Sequence, residues 1–372
     1  MKCIIFSILT FALLLVSFNR IAQKFGDPAI DSFQELSNAL KSNKSKYGNR
    51  VINSEIGSSC DITGSKTKVI DSTVGSSSDI TGGTIKNSKL GSSNDVSGSA
   101  NIFDSQIGNS CNITGSVKKK SIIQNCIDVH GLVVNSTIGN SANIFKSGVV
   151  YDSHIGSSCD IKGEVREDST ILNSTDVDGL VVHSTLGNSV KILKSGKVFN
   201  SHIGNSCDIK GEVREDSTLM NSVNVNGLVA KSTIGNSSTI DGTVKKSQIG
   251  NSVDVDAHST VVGATVGNSS TIEGSTLALK SGTGISCYVL DAKLQKNVKL
   301  GNYVVVGVGA VLEQGSKAGD DACIEDGARL KQGKIVKARG MISKKGAVSP
   351  PSKNKDQVYA YTKGKCKLVN KA

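Results

Sequence analysis

Single apolar residues recur along this chain in a three-beat rhythm, separated by Gly, Ser, Asn and Asp. A bulky aliphatic residue opens each unit, at Ile56, Val74, Leu90, Ile107, Ile123, Ile138, Ile155, Ile171, Leu186, Ile203, Leu219, Ile234, Ile249 and Val266, with successive spacings of 15 to 18 residues. Gly usually follows it. A second apolar residue comes six positions later (Ile155 to Ile161, Ile203 to Ile209), and a third lies about five residues before the next unit, as at Val150, Val198 and Val229. Three isolated inward side chains per unit predict a triangular coil of short strands joined by tight corners. A short period held over this length makes a solenoid, in which each coil buries its apolar residues by stacking on its neighbours. The Gly is expected at a corner needing positive φ. The Ser two positions before each opening residue (Ser136, Ser153, Ser184, Ser201) is expected to point inward beside it.

Further along, the rhythm tightens. Leu294, Leu300, Val306, Leu312, Ala318, Ile324, Leu330, Val336 and Ile342 recur every six residues. Segments such as Leu300-Gly301-Asn302-Tyr303-Val304-Val305 and Ile324-Glu325-Asp326-Gly327-Ala328-Arg329 resemble the hexapeptide repeat of left-handed parallel β-helix proteins, strictly over 294–342 and more loosely over 56–292. The looser part is also similar to the head repeats of trimeric autotransporter adhesins, through the Ser-x-x-Gly-x-x-Ser rhythm of Ser232 to Ser238. The fold class expected is all-β: a single-stranded left-handed parallel β-helix solenoid with a short N-terminal capping helix and a flexible basic C-terminal tail. The expected divisions are a signal peptide (1–22), a capping helix (23–50), a solenoid of 15–18-residue coils (51–293), a hexapeptide-repeat β-helix (294–343) and a basic tail (344–372). The helix rests on Asp27-Pro28, an N-cap and first-turn proline, followed by Ile30, Phe33, Leu36 and Leu40 at helical spacing.

Composition supports a narrow coil. Forty Gly, no Trp and few Phe and Tyr suit an interior filled by Ile, Val and Leu. Lys2 and the apolar run Cys3–Phe18 have the length of a signal-peptide core. Arg20, at −3 from a cleavage after Ala22, keeps an uncleaved membrane anchor as the alternative to a secreted, extracellular or wall location. Cys60, Cys111, Cys159 and Cys207 each follow a coil-opening Ile by four residues, where other coils place Ser78, Ala142, Val190, Ser238 and Val253. The position reads as a filler for small side chains. Neighbouring members lie three coils apart, about 14 Å at the ~4.8 Å spacing of stacked strands, too far for a disulfide. Cys126, Cys287, Cys323 and Cys366 lack metal-ligand spacing, and Cys366, in the tail, is expected to pair between chains.

The net charge is +11. Residues 344–372 carry Lys344, Lys345, Lys353, Lys355, Lys363, Lys365, Lys367 and Lys371 against the single acid Asp356. Such a tail is expected to hold polyanions, anionic polysaccharide or other wall components, rather than nucleic acid. The hexapeptide resemblance implies acyltransferase or zinc-enzyme chemistry, with a general-base His or three converging His, and a homotrimer. His130, His154, His183, His202 and His258 all fall outside the strict repeat, and His154 and His202 occupy one place in duplicated coils: residues 155–170 match 203–218 except for Ser157 against Asn205. They read as solvent-facing repeat residues, so no catalytic residue, metal or cofactor is expected. A hexapeptide-type acyltransferase-like protein and an ice-binding protein are the alternatives, the second weakened by the lack of any Thr-x-Thr. The main expectation is a non-enzymatic, secreted structural or adhesive solenoid of a wall, spore coat or matrix. Sequons at Asn43, Asn112, Asn135, Asn173, Asn236 and Asn268 are candidate N-glycosylation sites.

Overall fold

The computed structural model describes residues 46–125, 127–354 and 357–370. The expected signal peptide, the capping helix up to residue 45, Asn43, Cys126, Lys355 and Lys371 lie outside the described residues. Of the capping segment, Gly48–Arg50 form a 3-10 turn. The chain divides into two units, Met1–Lys120 and Ser121–Ala372, which between them hold about 18 turns of parallel β-solenoid and almost no helix.

In the first unit each coil contributes three strands of two or three residues, such as Lys68–Ile70, Thr73–Val74 and Asp79–Ile80. Each stacks in parallel register on the next coil: Val69 on Ile85, Val74 on Leu90, Ile80 on Val96. The second unit repeats the plan. Leu180–Val182, Thr185–Leu186 and Lys191–Ile192 define what we term the first, second and third faces. Their inward residues Val181, Leu186 and Ile192 pair with Val198, Ile203 and Ile209 one coil on, and all six are at most 1% exposed. One fully buried aliphatic side chain per short strand is worth about 1.5–3 kcal/mol, and the coil repeats that gain on all three faces. Toward the end the turns settle at three hexads, with Lys293 over Val311 and Val311 over Arg329.

Two sequence expectations are refined by the corners. The Gly after the opening Ile does not carry the positive φ; Ser206, three residues after Ile203, does, at 58°. Gly204 is needed for a different reason, because a Cβ there would meet the backbone of Met220 on the next coil at 2.7 Å. The Ser column does point inward and forms a ladder. Ser184 donates its hydroxyl to the Val182 carbonyl (2.8 Å) and accepts the Ser201 amide (3.2 Å). The Cys positions are fillers, as expected: Cys207 Sγ donates to the Met220 carbonyl (3.1 Å), where the equivalent Ser238 hydroxyl donates to the Gly250 carbonyl (3.1 Å).

The tail is more ordered than a flexible arm. Within it, Gln357–Thr362 and Lys365–Asn370 pair as an antiparallel hairpin, turned at Lys363 and Gly364, both at positive φ. The expectation that Cys366 pairs between chains is corrected: it forms a disulfide with Cys323 of the same chain, Cα–Cα 5.9 Å. Hairpin formation brings together two residues 43 apart in sequence.

Candidate active site at a doubled corner

The corner between the first and second faces is made by one residue in the left-handed region, a conformation that Asn, Asp and His tolerate best. In the second unit these residues include Asn135 (φ 49°), Asp152 (47°) and His183 (49°). The corners at Lys119–Lys120, Glu167–Asp168 and Glu215–Asp216 depart from this pattern. Glu167 and Asp168 are both left-handed, at 57° and 56°, so the corner holds two residues where its neighbours hold one. Both amides still stack on the preceding coil, Glu167 N–H on the Tyr151 carbonyl (3.2 Å) and Asp168 N–H on the Asp152 carbonyl (2.7 Å). Ser169 closes the longer turn by donating its hydroxyl to the Arg166 carbonyl (2.6 Å). The His183 amide then docks on that same carbonyl (3.3 Å), so the enlarged corner and the histidine below it are tied to one point.

The result is a groove of about 490 Å³ lined by Asn135, Thr137, Asp152, His154, Glu167, Asp168, Thr170 and His183. Thr137, His154 and Thr170 stack in register on the second face as its floor. Asn135 donates its side-chain amide to Asp152 Oδ1 (2.6 Å), fixing the upper rim. His183 Nδ1 lies 3.2 Å from Glu167 Oε2. Both side chains are about half exposed, so the pair adds little to stability. What it fixes is direction: Nδ1 faces the Glu167 carboxylate and Nε2 points away from it. A histidine oriented by a carboxylate is an arrangement suited to general-base chemistry, and His154 lines the same groove.

The other histidines are placed differently. His202 stands on the second face between Thr185 and Thr218, and His130 gives its amide to the Ile144 carbonyl. His258 Nδ1 is 3.8 Å from Asp256, but its side chain is 87% exposed and lines no part of the groove. Among the described residues, no three His, Cys, Asp or Glu side chains gather as a metal site. Of the tail lysines, Lys344, Lys345, Lys353, Lys363, Lys365 and Lys367 are exposed. Among the sequons, Asn173, Asn236 and Asn268 use Oδ1 to accept backbone amides of the preceding coil, while Asn112 sits in a third-face strand and Asn135 on the groove rim.

Sequence reasoning set His154 and His183 aside as repeat positions. The missed signal was a break in the repeat: at 48-residue intervals the corner holds Asn135, His183 and Lys231. The duplicated corner, Glu215 and Asp216, is again doubly left-handed, but there Lys231 Nζ faces Glu215 at 3.6 Å. The His–Glu pair belongs to one copy of the duplication.

No family model matches the chain, and no curated protein matches it. Solved structures similar to it include a UDP-N-acetylglucosamine acyltransferase from Campylobacter jejuni (19% identity, 42% of this chain and 66% of that one, TM-score 0.30). Others are a Bacteroides fragilis UDP-N-acetylglucosamine acyltransferase (16%, 56% and 72%, TM-score 0.22) and its Arabidopsis counterpart (15%, 80% and 70%, TM-score 0.13). The chain spans just under two thirds of the Campylobacter enzyme. At these identities and TM-scores the likeness is one of repeat architecture. These neighbours are acyltransferases, in line with the acyltransferase-like alternative, and the expectation of a non-enzymatic structural or adhesive solenoid is corrected accordingly. Nor is the coil uniform: two of its doubled corners differ in what faces them, His183 at Glu167 and Lys231 at Glu215.

Proposed function

We propose that the protein is a hexapeptide-type acyltransferase-like β-helix protein, which transfers an acyl group from a thioester to a hydroxyl or amine acceptor in the His183 groove. The observation that carries the reading is the His183–Glu167 pair, in a groove that His154 also lines. The similarity of the neighbours in repeat architecture is compatible with it. In this reading His183 Nε2 takes the acceptor's proton as its oxygen or nitrogen attacks the thioester carbonyl carbon. The tetrahedral intermediate collapses, the carbon–sulfur bond breaks, and the departing thiolate takes the proton back from His183. Glu167 holds the imidazole in the required tautomer and offsets its charge while protonated. His154 and the hydroxyls of Thr137 and Thr170 offer polar contacts to the acceptor.

General acid–base catalysis is worth about 10²–10⁴-fold. The test is thiol release from a panel of short and long acyl-CoA thioesters, with hydroxyl and amine acceptors, by the full chain and by His183→Ala. Acceptor-dependent release that falls by at least about 100-fold in the variant supports the reading. Release that is absent from the wild type across the panel, or equal in both proteins, overturns it.

A further inference from the structure

The outward column of the third face is polar through most of the second unit, at Asp160, Asp176, Lys191, Asp208 and Asn224. It then turns apolar, at Val305, Cys323 and Met341. Outward positions should be wet, yet Cys323 is 1% exposed and Met341 8%. The C-terminal hairpin covers them. Cys366, Tyr359 and Tyr361 pack against Cys323 and Met341 as a small separate apolar cluster. The polar contacts at its edge are equally specific: Tyr361 donates its hydroxyl to Asp326 (2.5 Å), Cys366 N–H to Glu325 Oε1 (3.1 Å), and Asp326 N–H to the Gly364 carbonyl (3.1 Å). Gly364, at φ 79°, lets the turn approach so closely that a Cβ there would meet the Asp326 carboxylate at 2.3 Å.

We propose that Cys323–Cys366 is a thiol–disulfide exchange site that latches this hairpin over the third face, and that a dithiol reductant opens it. Among the described residues the other cysteines, Cys60, Cys111, Cys159, Cys207 and Cys287, are buried inside the coil, so of these residues the one pair on an outward face is placed for exchange. Cys366, 8% exposed against 1% for Cys323, is the less buried of the two and the one a reductant reaches first. One thiolate of the reductant bonds to Cys366 Sγ, the Cys323–Cys366 bond breaks, and Cys323 leaves as a thiolate that takes up a proton. The reductant's second thiol then closes on its first, releasing Cys366 as a thiol and leaving the reductant as a cyclic disulfide. Two electrons and two protons pass to the protein. A lone two-stranded hairpin is marginal in water, and the bond removes much of the freedom of the undocked tail. Opening it is expected to raise the undocked fraction roughly 100- to 1,000-fold. Such a bond persists in oxidising compartments and is opened in reducing ones.

The test uses the full chain with and without dithiothreitol, reading iodoacetamide labelling by peptide mass and amide exchange over residues 357–370. Expected are no label on Cys323 or Cys366 before reduction, label on both after it, continued protection of Cys159, Cys207 and Cys287, and much faster exchange in the hairpin alone. Cys366→Ser, which leaves the coil intact, should show the fast exchange without any reductant. Labelling of both cysteines before reduction overturns the proposal, as does hairpin exchange that is the same in oxidised, reduced and Cys366→Ser protein.

Discussion

Replacing Ser184 by Ala probes the inner ladder that runs up the corner between the first and second faces. Ser184 is 4% exposed, donates to the Val182 carbonyl at 2.8 Å and accepts the Ser201 amide at 3.2 Å. The methyl group fits, so packing hardly changes. The Ser201 amide is left buried and without its acceptor, a loss of about 1–3 kcal/mol, and the Val182 carbonyl loses a bond worth about 1 kcal/mol net. The sum is about 2–4 kcal/mol. Stacked repeats open locally, so global unfolding is the wrong readout, and amide exchange at Ser201 and in the adjoining coils is the right one. It should accelerate roughly 30- to 700-fold in Ser184→Ala. Ser195→Ala is the control, because Ser195 also donates to a carbonyl, that of Lys210 at 2.8 Å, but in an exposed position. Equal exchange in wild type and Ser184→Ala, or equal acceleration by the control, would refute the view that the buried Ser column holds coil to coil.

Gly211→Ala would place a Cβ 1.9 Å from the Gly227 carbonyl on the next coil. It should destabilise the second unit by more than about 1 kcal/mol in chemical denaturation, whereas Gly333→Ala, with open space around it, should cost only the strain of its positive φ. Burial and the hydrogen bond to Asp326 push the Tyr361 hydroxyl up to about 12, so the folded hairpin favours the neutral phenol. Its contribution to docking is therefore complete below the ordinary tyrosine value near 10 and is lost as pH rises through about 12. Hairpin amide exchange should accelerate across that window in wild type, and Tyr361→Phe should remove the step.

The coil was legible because its rules are local and repeated. Ile203, Ile209 and Val198 declare the three inward columns, and the six-residue march from Leu294 to Ile342 sets the eighteen-residue turn. The glycine at Gly204 is legible as a corner residue, but the need for it comes from the next coil's backbone rather than its own φ. The groove was not legible. Nothing in a single coil says that Glu167 and Asp168 share one left-handed corner, or that this aims Glu167 at a histidine sixteen residues on; only the substitution pattern Asn135, His183, Lys231 hinted at it. The Cys323–Cys366 pairing was equally hidden by its separation, although apolar residues at outward positions 305, 323 and 341 signalled that something covers them.

In the proposed acyl transfer His183 and Glu167 work as one unit. A double-mutant cycle on acceptor-dependent thioester turnover, comparing wild type, Glu167→Ala, His183→Ala and the double variant, tests it most directly. Glu167→Ala alone should slow turnover, His183→Ala should slow it more, and the double variant should be no slower than His183→Ala, because the carboxylate acts through the imidazole. Losses that multiply, or a Glu167→Ala enzyme as fast as wild type, would contradict it.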